Sequence, residues 1–285
     1  MFDFRYHALS LAAVFLALGI GIVLGVTIGD SLVSETEESV RSSLRGDLVS
    51  ARDEAERLRA ELGRRNEVIE RVYPVLAANR LLGRRVAVVA LGGLPDDVAR
   101  PIREAVEDAG GEIDSTSVLE TPVDERELAD AVGGRFARLG SDERLLARLG
   151  ERIGRSIVLG GTVANRLERR LEDAFEGDYD GADAVVVYRA PGEESEDVPE
   201  TTAILHDALL DGLVARERVP VVGVERSGDD PSQIRFYRDR GLSTVDNLDE
   251  AAGRIALLFA LEGARGAFGF KDSAEEPLPE PPSED

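Results

Sequence analysis

The sequence predicts an α/β protein tethered to a membrane by its first helix, and three observations predict it. Residues 8–29 form an uncharged apolar run, residues 48–76 carry apolar positions in alternating steps of three and four, and from residue 85 short apolar runs alternate with helix-like segments. The implied order is an N-terminal transmembrane helix, a long coiled-coil helix, and a Rossmann-like or flavodoxin-like parallel-sheet domain of three layers. The expected divisions are a cytoplasmic N-terminus (1–7), the transmembrane helix (8–29), a coiled-coil stalk (30–82), an extracytoplasmic α/β domain (83–265) and an acidic, Pro-rich disordered tail (266–285).

The first element rests on length. At about 1.5 Å of rise per residue the apolar run reaches roughly 33 Å, about the hydrocarbon thickness of a bilayer. Arg5 and the terminal amine precede it, while Asp30, Glu35, Glu37 and Glu38 follow it. The positive-inside bias therefore puts the N-terminus in the cytoplasm and the bulk of the chain outside the plasma membrane. The alternative is a cleaved signal peptide, but the run exceeds the usual h-region of about 7–15 residues and no clear A-x-A site follows. Gly21, Gly25 and Gly29 fall four apart on one helix face, a small-xxx-small spacing that lets two helices approach closely in lipid.

The second element is the stalk. Leu48, Ala55, Leu62, Ile69 and Leu76 occupy one heptad position, and Ala51, Leu58, Arg65 and Val72 the other, with Arg65 the misfit. Val40, Leu44 and Leu48 run four apart upstream, a stutter in the repeat. Flanking Arg and Glu suit a solvated exterior. The expectation is a parallel homodimer whose seam comprises Leu48, Ala51, Ala55, Leu58, Leu62, Ile69, Val72 and Leu76; the alternative is a lone amphipathic helix packed on its own domain.

The third element is the alternation. Val86–Leu91, Ala184–Tyr188 and Val219–Val224 read as strands covered on both faces, and Glu112–Leu119 and Ser243–Val245 as further strands. Helices are expected over 95–109, 124–133, 141–155, 201–216, 232–240 and 250–261, with a helical stretch ending at Phe175. Ile157–Leu159 is a short apolar run closed by Gly160 and Gly161. Strands alternating with helices imply a parallel sheet flanked by helices.

Composition limits function. The formal charge is −22, and Asp3 and Arg5 cancel within the first 29 residues, so the excess sits beyond the anchor. Nucleic acid is thereby not an expected partner, since phosphates demand basic patches. Cysteine is absent, Met1 is the sole Met, and His7 and His206 are the sole His, leaving almost no soft metal ligands. Lys271 is the only Lys, which reads as a genome-wide preference for Arg. A catalytic triad would have to use His206, which lies mid-helix, and no nucleophile elbow is present. No enzyme and no cofactor are expected.

Two local patterns remain. Gly92-Gly93-Leu94-Pro95 follows a strand and opens a helix, a place for an anion or a simple turn, with Asp96 and Asp97 opposing phosphate. The denser pattern spans residues 223–247. Glu225, Arg226, Ser227, Asp229 and Asp230 lie just past the C-terminal end of a central strand, where open α/β sheets bind ligands, and Asp246 and Asn247 close the block. Asp230-Pro231-Ser232 equally reads as a turn and helix start.

The opening FRYHALSLAAVFLALGIGIVLG, the block GVERSGDDPSQIRFYRDRGLSTVDNLDEAAGRIALLFAL and the following GARGAFG resemble the actinobacterial copper-transport (MctB-like) family, which includes the SteB-type septal membrane proteins. The resemblance covers nearly the whole chain. It implies a role in copper transport or homeostasis, or in envelope and septum regulation beside a second membrane protein of the SteA type. Copper enters only through this resemblance, and no metal ligands carry over with it. One membrane helix cannot enclose a pore without several subunits. The residues suit a dimeric scaffold; a small-ligand receptor built on the 223–247 block is the other class.

Overall fold

The computed structural model describes residues 4–138, 142–192, 198–216 and 218–280, and the side-chain surroundings of these except 4–6, 26–42 and 138. Gly29 therefore lies outside the residues whose surroundings are described, as do the last five residues of the expected tail. The chain divides into two units, one up to Arg65 and one from Asn66 onward.

The first unit is helical throughout its described length, as part of α1 (Phe4–Ala77). Within it His7–Gly25 is long and apolar enough to cross a membrane, with a mean hydropathy of 2.5, and none of it is buried. Gly21 and Gly25 have nothing within 4 Å of where a Cβ would stand. Leu44, Leu48, Leu58 and Leu62 are each about half exposed or more, at 57%, 60%, 48% and 57%. Ala51 is exposed and Ala55 partly buried.

The second unit is the mixed α/β domain. After the last turns of α1 come β1 (Arg85–Leu91), α2 (Asp96–Asp108), β2 (Glu112–Leu119), α3 (Glu125–Val132), α4 (Glu143–Leu159), α5 (Ala164–Glu168), β3 (Phe175–Gly177) and β4 (Ala184–Arg189). Then follow α6 (Glu200–Leu213), β5 (Val221–Val224), α7 (Ile234–Arg238), β6 (Ser243–Val245), α8 (Ala251–Glu262) and β7 (Ala267–Phe268). The seven strands lie in the order β3-β2-β1-β4-β5-β6-β7. All neighbours are parallel except β2 and β3.

The continuous apolar strands follow from burial on two sides. Ala87, Val89 and Leu91 of β1 and Val185 and Val187 of β4 join one core with α3, α4, α5 and α6. Val86 and Val88, with Ala184, Val186 and Tyr188, join the other core with α2, α8 and the last turns of α1. Period-two alternation is invisible in such strands because both faces are dry. Asp124 and Asp142 cap α3 and α4, each accepting two backbone N–H groups.

Four expectations change. The helix expected over 141–155 runs on to Leu159 and takes in the short apolar run Ile157–Leu159, since such a run does not reveal its period. The stretch ending at Phe175 keeps only a five-residue helix, α5. Ile69 and Leu76 do not face outward with the rest of the seam: they pack on the second core beside buried Tyr73 and Ala77. Two arginines reinforce that docking. Arg80 stacks on Phe259 and pairs with Glu262 at 2.8 Å, and Arg254 pairs with Glu70 at 3.1 Å. Val72, between them, stays 42% exposed. The alternative of a helix packed on its own domain thus holds from Ile69 onward.

The fourth change concerns the tail. Residues 267–268 form β7 beside β6, and Glu276 bridges to Phe268. An acidic, Pro-rich composition predicts disorder only when no partner is available, and here buried groups of the domain receive the segment.

Candidate functional site: a polar cluster at the C-terminal edge of the sheet

β5 ends at Val224, and the next residue, Glu225, is fully buried. Its carboxylate is saturated from inside the protein. Oε1 accepts from Ser232 Oγ at 2.8 Å and Lys271 Nζ at 2.6 Å, and Oε2 accepts from the Gln233 N–H at 2.5 Å. Lys271 also donates to the carbonyls of Arg226 and Asp229, at 3.0 and 2.9 Å, which uses its three donors. Burial pushes the Glu225 carboxyl above its ordinary value, against the opposing pull of the Lys271, Gln233 and Ser232 hydrogen bonds.

Asp229 is buried and folds the loop on itself. Its carboxylate accepts from the Arg226 N–H at 2.9 Å and from two guanidinium nitrogens of Arg226 at 2.9 and 2.7 Å. Arg226 reaches on to Asp97 in the first turn of α2. Those hydrogen bonds to Asp229 hold the Arg226 guanidinium firmly charged. Ser227 binds Asp249 twice, through its N–H at 2.7 Å and its hydroxyl at 2.6 Å. Asp230 is exposed.

Asp246, just past β6, is 1% exposed and receives the backbone N–H groups of Phe270 and Lys271, both at 2.9 Å. Gly269 makes this possible: a Cβ there would stand 1.8 Å from Asp246 Oδ1. Asn247 is equally buried, and its carbonyl backs onto Gly253, where a Cβ would stand 1.9 Å away. Arg189 at the end of β4 donates from its side chain to Gln233 Oε1 at 2.6 Å and from its backbone N–H to the Tyr237 hydroxyl at 2.6 Å. The cluster therefore ties the ends of β4, β5 and β6 to the segment after β7.

The structure brings Glu225, Arg226, Ser227, Asp229 and Asp246 into one network and leaves Asp230 outside it. Sequence reasoning missed Lys271, Gln233, Arg189 and Asp249. Lys271 carried a signal, being the only lysine of the chain, yet its ion pair with Glu225 joins residues 46 apart in the chain. The chemistry available is that of a clamp, because each charged group is met by an internal partner.

An open groove of about 560 Å³ lies beside the cluster, lined by Asp97, Arg100, Glu104, Arg226, Ser227 and Arg254 among others. Ser227 faces it, but Glu225 and Asp230 do not line it. The Gly92-Gly93 turn leads into α2 with Asp96 and Asp97 in the first turn, acids whose charge opposes an anion there. No group of three or more His, Cys, Asp or Glu positioned to hold a metal is found among the described residues. His206 is 3% exposed within α6; burial, and then Arg189, lower its imidazole to about 4. As cargo, copper favours thiolate, thioether or imidazole donors, and the described domain offers only this enclosed one.

The comparisons with known proteins concern the chain as a whole. The family described as "Copper transport outer membrane protein, MctB" matches residues 1–279. Proteins named copper transporter MctB from Mycobacterium tuberculosis H37Rv and Mycobacterium bovis AF2122/97 are 29% identical over 119 residues, 42% of this chain. That alignment spans 38% of the length of each mycobacterial relative. The match over almost the full length decides the family: this chain belongs to the MctB family of membrane copper transport proteins.

Proposed function

We propose that this chain is a single-pass, homodimeric envelope protein that serves copper homeostasis as a scaffold, not as a pore of its own. The observation that carries this is the contrast within α1: the stripe Leu44, Leu48, Leu58 and Leu62 lies open, while Ile69, Tyr73, Leu76 and Ala77 are covered by the chain's own core. An open stripe at heptad spacing continues the apolar span His7–Gly25 toward a second copy, with Gly21, Gly25 and Gly29 as the lipid-phase contact. Arg5 before the span and the acidic residues after it support an N-terminus in the cytoplasm and the domain outside the plasma membrane.

The strand order β3-β2-β1-β4-β5-β6 supports a Rossmann-like reading of the domain, with the order reversing between β1 and β4. The shortage of soft donors supports a scaffold that acts on copper through a second membrane protein, of the SteA type in the septal branch. The test has two arms. The full chain in nanodiscs is sized by light scattering; a dimer is expected, and a monomer sinks the coiled-coil reading. A deletion strain under copper stress is measured for copper content and division morphology together. Raised copper is expected, and unchanged copper with normal division removes the role.

The receptor reading keeps less support. Its three residues Glu225, Ser227 and Asp230 do not share a groove.

A further inference from the structure

We propose that the opposite edge of the sheet, where the parallel strands begin, is a binding site for a ligand carrying two or more phosphate groups. Arginines from four separate strand entrances converge there: Arg84 before β1, Arg216 and Arg218 before β5, Arg238 before β6 and Arg265 before β7. They line a cleft of about 500 Å³ whose acids, among the described residues, are Glu262 and Glu275. Both acids are already engaged, Glu262 with Arg80 at 2.8 Å and Glu275 with Arg238. A second recess of about 400 Å³ adjoins it, lined by Arg84, Asp183, Arg216 and Arg218, so these three arginines form a shared wall.

The concentration of charge runs against the rest of the chain. Among the described residues this cleft gathers five arginines around two acids, a local balance opposite in sign to the net charge of −22. At physiological salt, charges beyond about 8 Å are largely screened, so the local set decides what binds. Helix C-termini explain part of it: one guanidinium nitrogen of Arg84 donates to the Leu261 carbonyl at 3.1 Å, at the end of α8. They do not explain Arg216 and Arg218, which are exposed and whose guanidinium groups have no hydrogen-bond or ion-pair partner among the described residues.

The geometry selects the ligand class. One planar carboxylate is satisfied by one guanidinium fork, whereas a tetrahedral phosphate accepts from several at once. Three arginines shared by two adjoining recesses fit two phosphates held side by side. The phosphate can belong to a soluble polyphosphate or to an anionic lipid headgroup.

The test uses the full chain in nanodiscs and inorganic tripolyphosphate as the probe, followed by calorimetry. In zwitterionic nanodiscs the wild type is expected to bind it, and R216S/R218S to bind at least about tenfold more weakly, the loss of one charge-assisted contact or more. R148S/R152S removes the same charge from the exposed face of α4 and is expected to leave binding unchanged. Competition of the probe by cardiolipin in the nanodisc, whose headgroup carries two phosphates, assigns the site to a headgroup; no competition assigns it to a soluble phosphate. Absence of wild-type binding in zwitterionic nanodiscs, or equal weakening by both double variants, overturns the proposal. Both pairs are exposed, and unchanged melting temperatures verify that folding is intact.

Discussion

The same glycine spacing occurs in two helices and meets two different surroundings. Gly21 and Gly25 in the apolar span have nothing within 4 Å of a Cβ position. Gly150 and Gly154 in α4 are filled by α6: a Cβ would stand 2.6 Å from the Leu205 carbonyl oxygen at the first and 2.1 Å from that of Leu209 at the second. Gly212 of α6 answers with 2.3 Å to the Glu151 carbonyl oxygen. Spacing by itself declares that a helix can be approached closely; it does not say by what. In the α/β unit the partner is another helix of the chain. In the first unit no described residue of the chain stands within 4 Å of the Cβ positions of Gly21 and Gly25.

Several substitutions can break or sharpen this contrast. The largest effect is expected from Gly154→Leu, which drives a side chain into the backbone of α6 and costs about 3 kcal/mol or more. Thermal melting measures it, and Gly21→Leu in the open pair is expected to leave the domain's melting temperature unchanged. Equal melting of Gly154→Leu and wild type would show that the two glycine pairs do not differ.

Next comes Lys271→Met. It leaves the Glu225 carboxylate buried without its cation, a loss of about 3 kcal/mol at neutral pH. The Glu225 carboxyl already stands above its ordinary value and rises further in this variant. Stability is therefore partly regained as the pH falls through the folded value and the group becomes neutral. Denaturant titrations at several pH values read this, and Lys271→Met with Glu225→Gln is expected to recover much of the loss. A pH-independent deficit contradicts the assignment of the clamp to charge.

Comparable in size but different in pH sense is His206. Its folded value of about 4 lies below the unfolded one, so the unfolded state takes up the proton first. Stability contributed by the neutral imidazole is complete above pH ~6.5 and is lost, by up to about 3 kcal/mol, as the pH falls to about 4. His206→Phe is expected to flatten that part of the curve, measured by the same titrations. The smallest effect on folding is expected from Leu48→Asp with Leu62→Asp, below about 0.5 kcal/mol since both side chains are exposed. The same variant is expected to convert the proposed dimer to monomer in light scattering, whereas Tyr73→Ala, on the covered part of the helix, destabilises the domain by about 3 kcal/mol.

Legibility differed between elements for physical reasons. Val86–Leu91 and Ala184–Tyr188 were readable because a strand dry on both faces must be apolar at every position. Ile157–Leu159 was not, because three apolar residues fit the end of a helix as well as a strand. The 223–247 block was readable as a functional or structural focus from its density of short polar residues after a strand. Which of its members are enclosed was not: adjacent Asp229 and Asp230 have the same side chain, yet one is buried on Arg226 and the other is exposed. Tail composition misled, since its few anchoring residues, Gly269 and Lys271, are outnumbered by acids and prolines.

By itself the sequence determined the apolar span, the heptad stripe and the alternation of buried strands with helices, because each is a periodic demand made by neighbouring residues. Only the tertiary structure decided which surfaces are already satisfied. It closed α4 on α6, docked the helix from Ile69 onward, and pinned Lys271 beneath the end of β5. It also drew arginines from four strand entrances into one cleft. Each of these joins residues far apart in the chain, and their meeting depends on strand order and register, which no local pattern encodes.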